Sequence, residues 1–138
     1  MVARTSRRAF VAAVPLSLWG WIVPFRSAWS RQPAKHPDPR PGIDARDVLT
    51  GEQLAGYGDD VVAVFDMVRE IPQIADGIHC YCGCATMPGF RSLLICYGPD
   101  GMARGCHICQ GEGKLAYRRW KEGQSLDQIR RAIDARYA

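Results

Sequence analysis

Apolar residues recur at Val61, Val64, Phe65 and Val68, the i, i+3, i+4, i+7 spacing that lays one stripe along a helix. Asp59 or Asp60 stands where an N-terminal cap is needed. Pro72 interrupts or restarts this helix, and Ile74 and Ile78 carry the apolar stripe on to Cys80. Upstream, Val48 to Tyr57 predicts a short helix with Thr50 and Gln53 as its capping box. Downstream, ATMPGFRSLLICYGPDGMARG is rich in turn residues and reads as a loop, with GPDG at 98–101 as a turn. A further helix is predicted from Cys109 to Glu122, with Leu115, Ala116 and Trp120 on its buried face and Gly123 at its end. Ser125 and Gln128 then open a last helix, which gathers Leu126, Ile129, Ile133 and Tyr137 on one side. Nothing in the pattern calls for a sheet. The expectation is a small all-α domain of three to four helices with a cysteine-rich loop, its last two helices an antiparallel pair.

The first 42 residues follow different rules. Residues 1–30, MVARTSRRAFVAAVPLSLWGWIVPFRSAWS, have a basic start, an apolar run from Ala9 to Phe25, and small residues at Ala28 and Ser30. This is the layout of a cleaved export signal. TSRRAF is similar to the twin-arginine signal, although Ala12 or Ala13 stands where a lysine is usual. The apolar run is broken by Pro15, Gly20 and Pro24, which leaves an uncleaved membrane anchor as the rival reading. Residues 31–42, RQPAKHPDPRPG, carry four prolines and predict an extended linker with little tendency to pack, in which His36 is solvated. The domain then runs from 43 to 138.

Charge changes the picture once the leader is set aside. The formal net charge is +4, but Arg4, Arg7, Arg8 and Arg26 all lie in the leader, which holds no acid. The remainder has as many bases as acids. A nucleic-acid partner needs a basic face on the folded part and loses its support. The chemistry left to explain is sulfur.

All six cysteines, Cys80, Cys82, Cys84, Cys96, Cys106 and Cys109, fall within 30 residues of one another. A disulfide framework usually spreads its cysteines along the chain, whereas a metal site concentrates them. In an extended stretch Cys80, Cys82 and Cys84 share a face. CHIC, residues 106–109, adds a pair at i, i+3 at the start of a helix, where the helix N-terminus favours thiolates. Soft thiolates select Cu(I), zinc and iron–sulfur clusters. A closed zinc site takes four ligands, fewer than the six thiols present, so Cu(I) is the first expectation and Zn2+ the second. His79 and His107 are weaker candidate ligands beside the thiols. Three disulfides in an exported protein remain a reading of the same residues. Tyr81 and Phe90 are expected to shield the sulfurs, and Met87 and Met102 to fill space rather than bind metal.

Other chemistries have little to stand on. Covalent haem attachment needs C-x-x-C-H, and Gln110 follows Cys109. A thioredoxin-type centre lacks its βαβ unit, and no hydrolytic triad or phosphate-binding loop is present.

CYCGC, a later lone cysteine, a C-x-x-C opening a helix, and the tail WKEGQSLDQIRRAIDARY together resemble the bacterial PCYCGC-motif proteins. The resemblance covers roughly residues 57–137 and rests on the six cysteines with Gly123, Ser125, Ile129 and Ile133. It implies a small exported protein, a class whose function is poorly defined. His79 departs from it, since proline is usual there, and no lipid-attachment cysteine carries over. The helical tail is also similar, more loosely, to the small thiol subunits of cytochrome c maturation.

Two functions follow as expectations. The first is a non-catalytic, periplasmic soft-metal protein holding Cu(I) for storage, delivery or detoxification, with a metal-trafficking protein as partner. The second is a periplasmic thiol–disulfide carrier in which Cys106 and Cys109 cycle with a thiol-redox partner. A structural zinc or disulfide-stapled interaction module is the remaining alternative. The membrane enters only through an uncleaved leader.

Overall fold

A computed structural model of the chain describes residues 34–138. The leader expected over residues 1–30 lies outside the described residues. Four helices form: α1 (Asp59–Glu70), α2 (Pro72–Asp76), α3 (His107–Lys121) and α4 (Leu126–Tyr137). Two short 3-10 turns, Cys84–Thr86 and Leu93–Tyr97, lie between α2 and α3, and there is no strand among the described residues. The all-α expectation holds. No helix among them is long and apolar enough to cross a membrane.

The helical stripes pack as their spacing predicts. Val64, Phe65 and Val68 of α1 are buried, and α3 lies against α1 on one side and α4 on the other. Ile129 and Ile133 of α4 are fully buried, and Ser125 with Gln128 makes both bonds of the capping box. Gly123, at φ 78°, supplies the left-handed residue that turns the chain between α3 and α4. Pro72 occupies the first turn of α2, where its missing N–H costs nothing.

Four local expectations give way. Thr50 and Gln53 exchange their capping bonds, yet no helix follows. Gly56 and Gly58, at φ 93° and 96°, take the chain out of helical space. Gly58 rather than Asp59 or Asp60 therefore precedes α1, and the two acids sit in its first turn instead, facing its positive end. Trp120 is not core: it is 37% exposed, tilted against Tyr117 with the Lys121 ammonium over its ring. The segment read as a loop contributes Leu93, Leu94, Cys96 and Tyr97 to the core. It does so through a 3-10 turn, whose three-residue repeat the helical template does not detect.

Gly113 shows how tightly this turn meets α3. A side chain there would run into the Tyr97 hydroxyl. That hydroxyl donates to the Cys109 carbonyl at 2.8 Å, and the Tyr97 ring packs edge-on against Phe65. The glycine lets the helix and the aromatic ring approach closely, at a helix-propensity cost of about 1 kcal/mol against alanine.

The proline-rich stretch, from residue 34 on, is extended, but it packs. Asp76, fully buried at the end of α2, accepts hydrogen bonds from the Arg40 backbone N–H, from the Arg40 and Arg91 guanidinium groups, and from the Ser92 hydroxyl. Arg130 of α4 donates to the Pro37 carbonyl and Arg91 to the Asp38 carbonyl. His36 is not solvated: its Nε2 pairs with Asp134 at 2.9 Å and its Nδ1 accepts the His79 N–H. Prolines cannot donate, and here side-chain donors from α4 and from the segment between the two 3-10 turns satisfy the carbonyls instead.

Candidate metal centre

Three separate stretches bring thiols together. Cys80 and Cys82 lie on the turn after α2, Cys96 on the second 3-10 turn, and Cys109 in the first turn of α3. Their four Sγ atoms all lie within 4.8 Å of one another. Cys80, Cys96 and Cys109 are buried and Cys82 is half-buried. Cys80 and Cys109 approach to 3.5 Å.

The CYCGC segment reaches this arrangement by turning, not by running extended. Residues 81–83 form a turn, and Gly83 is left-handed at φ 94°. The turn leaves Cys84 outside the quartet but against it, its Sγ 2.9 Å from that of Cys82. On its other side Cys84 meets the Met102 sulfur at 3.1 Å. Cys106 stands at the N-terminal cap position of α3, half-buried and making no side-chain bond to the helix. Five of the six cysteines therefore form one sulfur patch with a core of four, and Cys106 stands next to it at the start of α3.

The histidines stand apart from that core. The His79 ring packs edge-on against Tyr81, and burial together with the neighbouring His36 lowers its pKa. His107 is exposed on α3. Neither belongs to the quartet. Tyr81 directs its hydroxyl to Asp134 at 2.6 Å, which ties the thiol-bearing turn to α4. Burial, with Asp134 beside it, pushes that phenol up to about 12.

Glu112 was not among the residues the thiol pattern singled out. It follows Cys109 by three positions, so Cys106, Cys109 and Glu112 recur on one side of α3, a signal available in the sequence. Glu112 is fully buried. Its Oε1 accepts the Tyr81 N–H at 2.8 Å, while its Oε2 has no partner. Burial pushes its carboxyl up to about 7.

Protonation follows the same geometry. The bonds among Cys80, Cys96 and Cys109 each raise one thiol as they lower its partner, and with burial added all three lie well above their ordinary value. Burial also acts on Cys82, but the Cys84 thiol and backbone N–H outweigh it and lower the Cys82 pKa. Cys84 is pushed up to about 11 by burial and by Cys82. A soft ion is the counter-charge that lets such buried thiols ionise, and its binding must displace their protons. Clustered thiols of this kind can hold a metal ion. The chain matches no protein-family model, no curated protein and no solved structure.

Proposed function

We propose that this is an exported, non-catalytic protein that holds Cu(I) on its clustered thiolates for storage, delivery or detoxification. The observation that carries the reading is the quartet of Cys80, Cys82, Cys96 and Cys109, within 4.8 Å and mostly buried. Four thiols alone suit Zn2+ as well. Copper is favoured because Cys84 adjoins the quartet as a further thiol, and thiolate-bridged Cu(I) clusters use such an excess. Export rests on the leader, and kinship with the PCYCGC-motif proteins on the cysteine spacing; both belong to the proposal.

The 3.5 Å approach of Cys80 and Cys109 favours a second reading, a thiol–disulfide carrier. It would use a different pair from the adjacent Cys106 and Cys109.

The chain purified without oxygen from copper-supplemented cells separates these readings. Elemental mass spectrometry with thiol counting is expected to find more than one copper per chain and all six thiols reduced. One zinc per chain would establish the structural-zinc reading. A metal-free protein with disulfides would overturn both metal readings.

A further inference from the structure

The quartet is closed on three sides. Cys80, Cys96 and Cys109 are at most 1% exposed, and only Cys82 is half-buried. An ion must reach them from water, and Cys82 is the corner that meets it. Cys82 also meets Cys84 at 2.9 Å, a thiol that is itself buried, and Cys84 meets Met102 at 3.1 Å. Met102 is 49% exposed. We propose that Cys82, Cys84 and Met102 form a second, solvent-facing Cu(I) position through which the ion enters and leaves the quartet. This inference rests on the copper reading above.

Met102 does not behave as filler. Filler methionines lie buried against apolar groups, whereas this one is half out in water with its sulfur on a thiol. The backbone on both sides holds it there. Gly101 N–H donates to the Gly98 carbonyl and Ala103 N–H to the Cys96 carbonyl, each at 2.9 Å. The Ala103 carbonyl in turn accepts from the Gln110 side chain of α3. Gly101 is pressed so close to the Cys96 carbonyl that no side chain fits between them. The turn that places Cys96 in the quartet thus also places Met102 at its mouth. Met87, similarly exposed, makes no such contact with a thiol among the described residues.

The chemistry suits a relay. A thioether is soft, neutral and free of protons at any pH, so it accepts Cu(I) without an acid–base step. Zinc sites take thiolate, imidazole and carboxylate, so the third sulfur selects the monovalent soft ion. Passage inward is ligand exchange. Bonds from Cu(I) to Met102 and Cys84 break as bonds to Cys80 or Cys109 form, while Cys82 stays bound throughout. The copper remains Cu(I), no electron moves, and each thiol that becomes a ligand releases its proton to water.

The test uses the full chain, reduced and metal-free, titrated with Cu(I) under nitrogen and observed through 13C-labelled methionine methyls. The Met102 methyl is expected to shift during loading, with Met87 as the internal reference that stays in place. Met102→Leu and, separately, Cys84→Ser should keep the tightest copper equivalent on the quartet. In both variants, transfer to a chromophoric Cu(I) chelator should slow at least about tenfold, in line with what disturbing a metal's surroundings costs. A Met102 methyl unmoved at full loading, or Met102→Leu exchanging copper at the parent rate, overturns the port and leaves the copper reading intact. A parent chain that takes up no Cu(I) overturns the copper reading itself, and the port with it.

Discussion

Asp76 and Glu112 are both acids without solvent exposure, and the chain treats them in opposite ways. Asp76 receives five donated hydrogen bonds, three of them from guanidinium nitrogens. Burial would raise its pKa, but the bonds from Arg40 and Ser92 outweigh burial and hold it below the usual carboxylate range. Glu112 receives one backbone N–H, keeps one oxygen unpartnered, and is raised to about 7. One acid is a finished joint between the proline-rich strap, residues 34–42, and the helices. The other sits beside the Cys80 thiol and draws no guanidinium bond among the described residues. A buried acid left incomplete next to clustered thiols is what the proposed metal site would complete, because a bound cation supplies the missing charge.

The largest way to break this contrast is Asp76→Ala. It strands the buried Ser92 hydroxyl and frees the strap, and should cost about 3 kcal/mol of folding stability by denaturant titration. The pH dependence carries the sign. The folded pKa of Asp76 is depressed, so its contribution is full above the ordinary carboxylate pKa of about 4 and is lost as pH falls through the folded value. The gap between parent and variant should therefore close under acid.

Glu112 predicts the reverse. Its folded pKa is raised, so the metal-free chain loses stability as pH climbs from about 4.5 to about 7 and is level above that. Glu112→Gln should stabilise the metal-free chain at pH 8 by about 1–3 kcal/mol and leave it nearly unchanged at pH 4. Urea titration at the two pH values measures both. A destabilised Glu112→Gln at pH 8 would show that the unpartnered oxygen is not a cost, and the contrast with Asp76 would fall.

The smallest effect belongs to Arg40→Met. Its side chain is 45% exposed and Arg91 remains on Asp76, so the loss should be about 1 kcal/mol in the same titration, well below that of Asp76→Ala. A larger loss would place the strength of the joint in Arg40 alone.

What could be read in advance divides along the same line. The stripes of α1 and α4, the Pro72 break and the Ser125 box were legible because each depends on residues three or four apart. The concentration of thiols pointed to one site, and the quartet draws on both halves of it. Which cysteines would form its core was not legible. That depends on the left-handed turn at Gly83 and on a 3-10 turn that buries Cys96, and neither has a helical period. His36 and the strap were misread because a proline-rich composition describes what a segment can donate, not what others donate to it. Glu112 was legible in principle, one helical turn beyond Cys109, and was passed over because carboxylates are not soft ligands.

Gly113 extends the argument to tolerance for change. It contributes no atom to the sulfur patch, yet any side chain there displaces the Tyr97 hydroxyl. That hydroxyl holds the carbonyl of Cys109 one turn earlier. A saturation survey of the chain, scored on metal retention, should therefore find this glycine as restricted as the cysteines. The exposed positions of α3 beside it, such as Lys114, should accept almost anything.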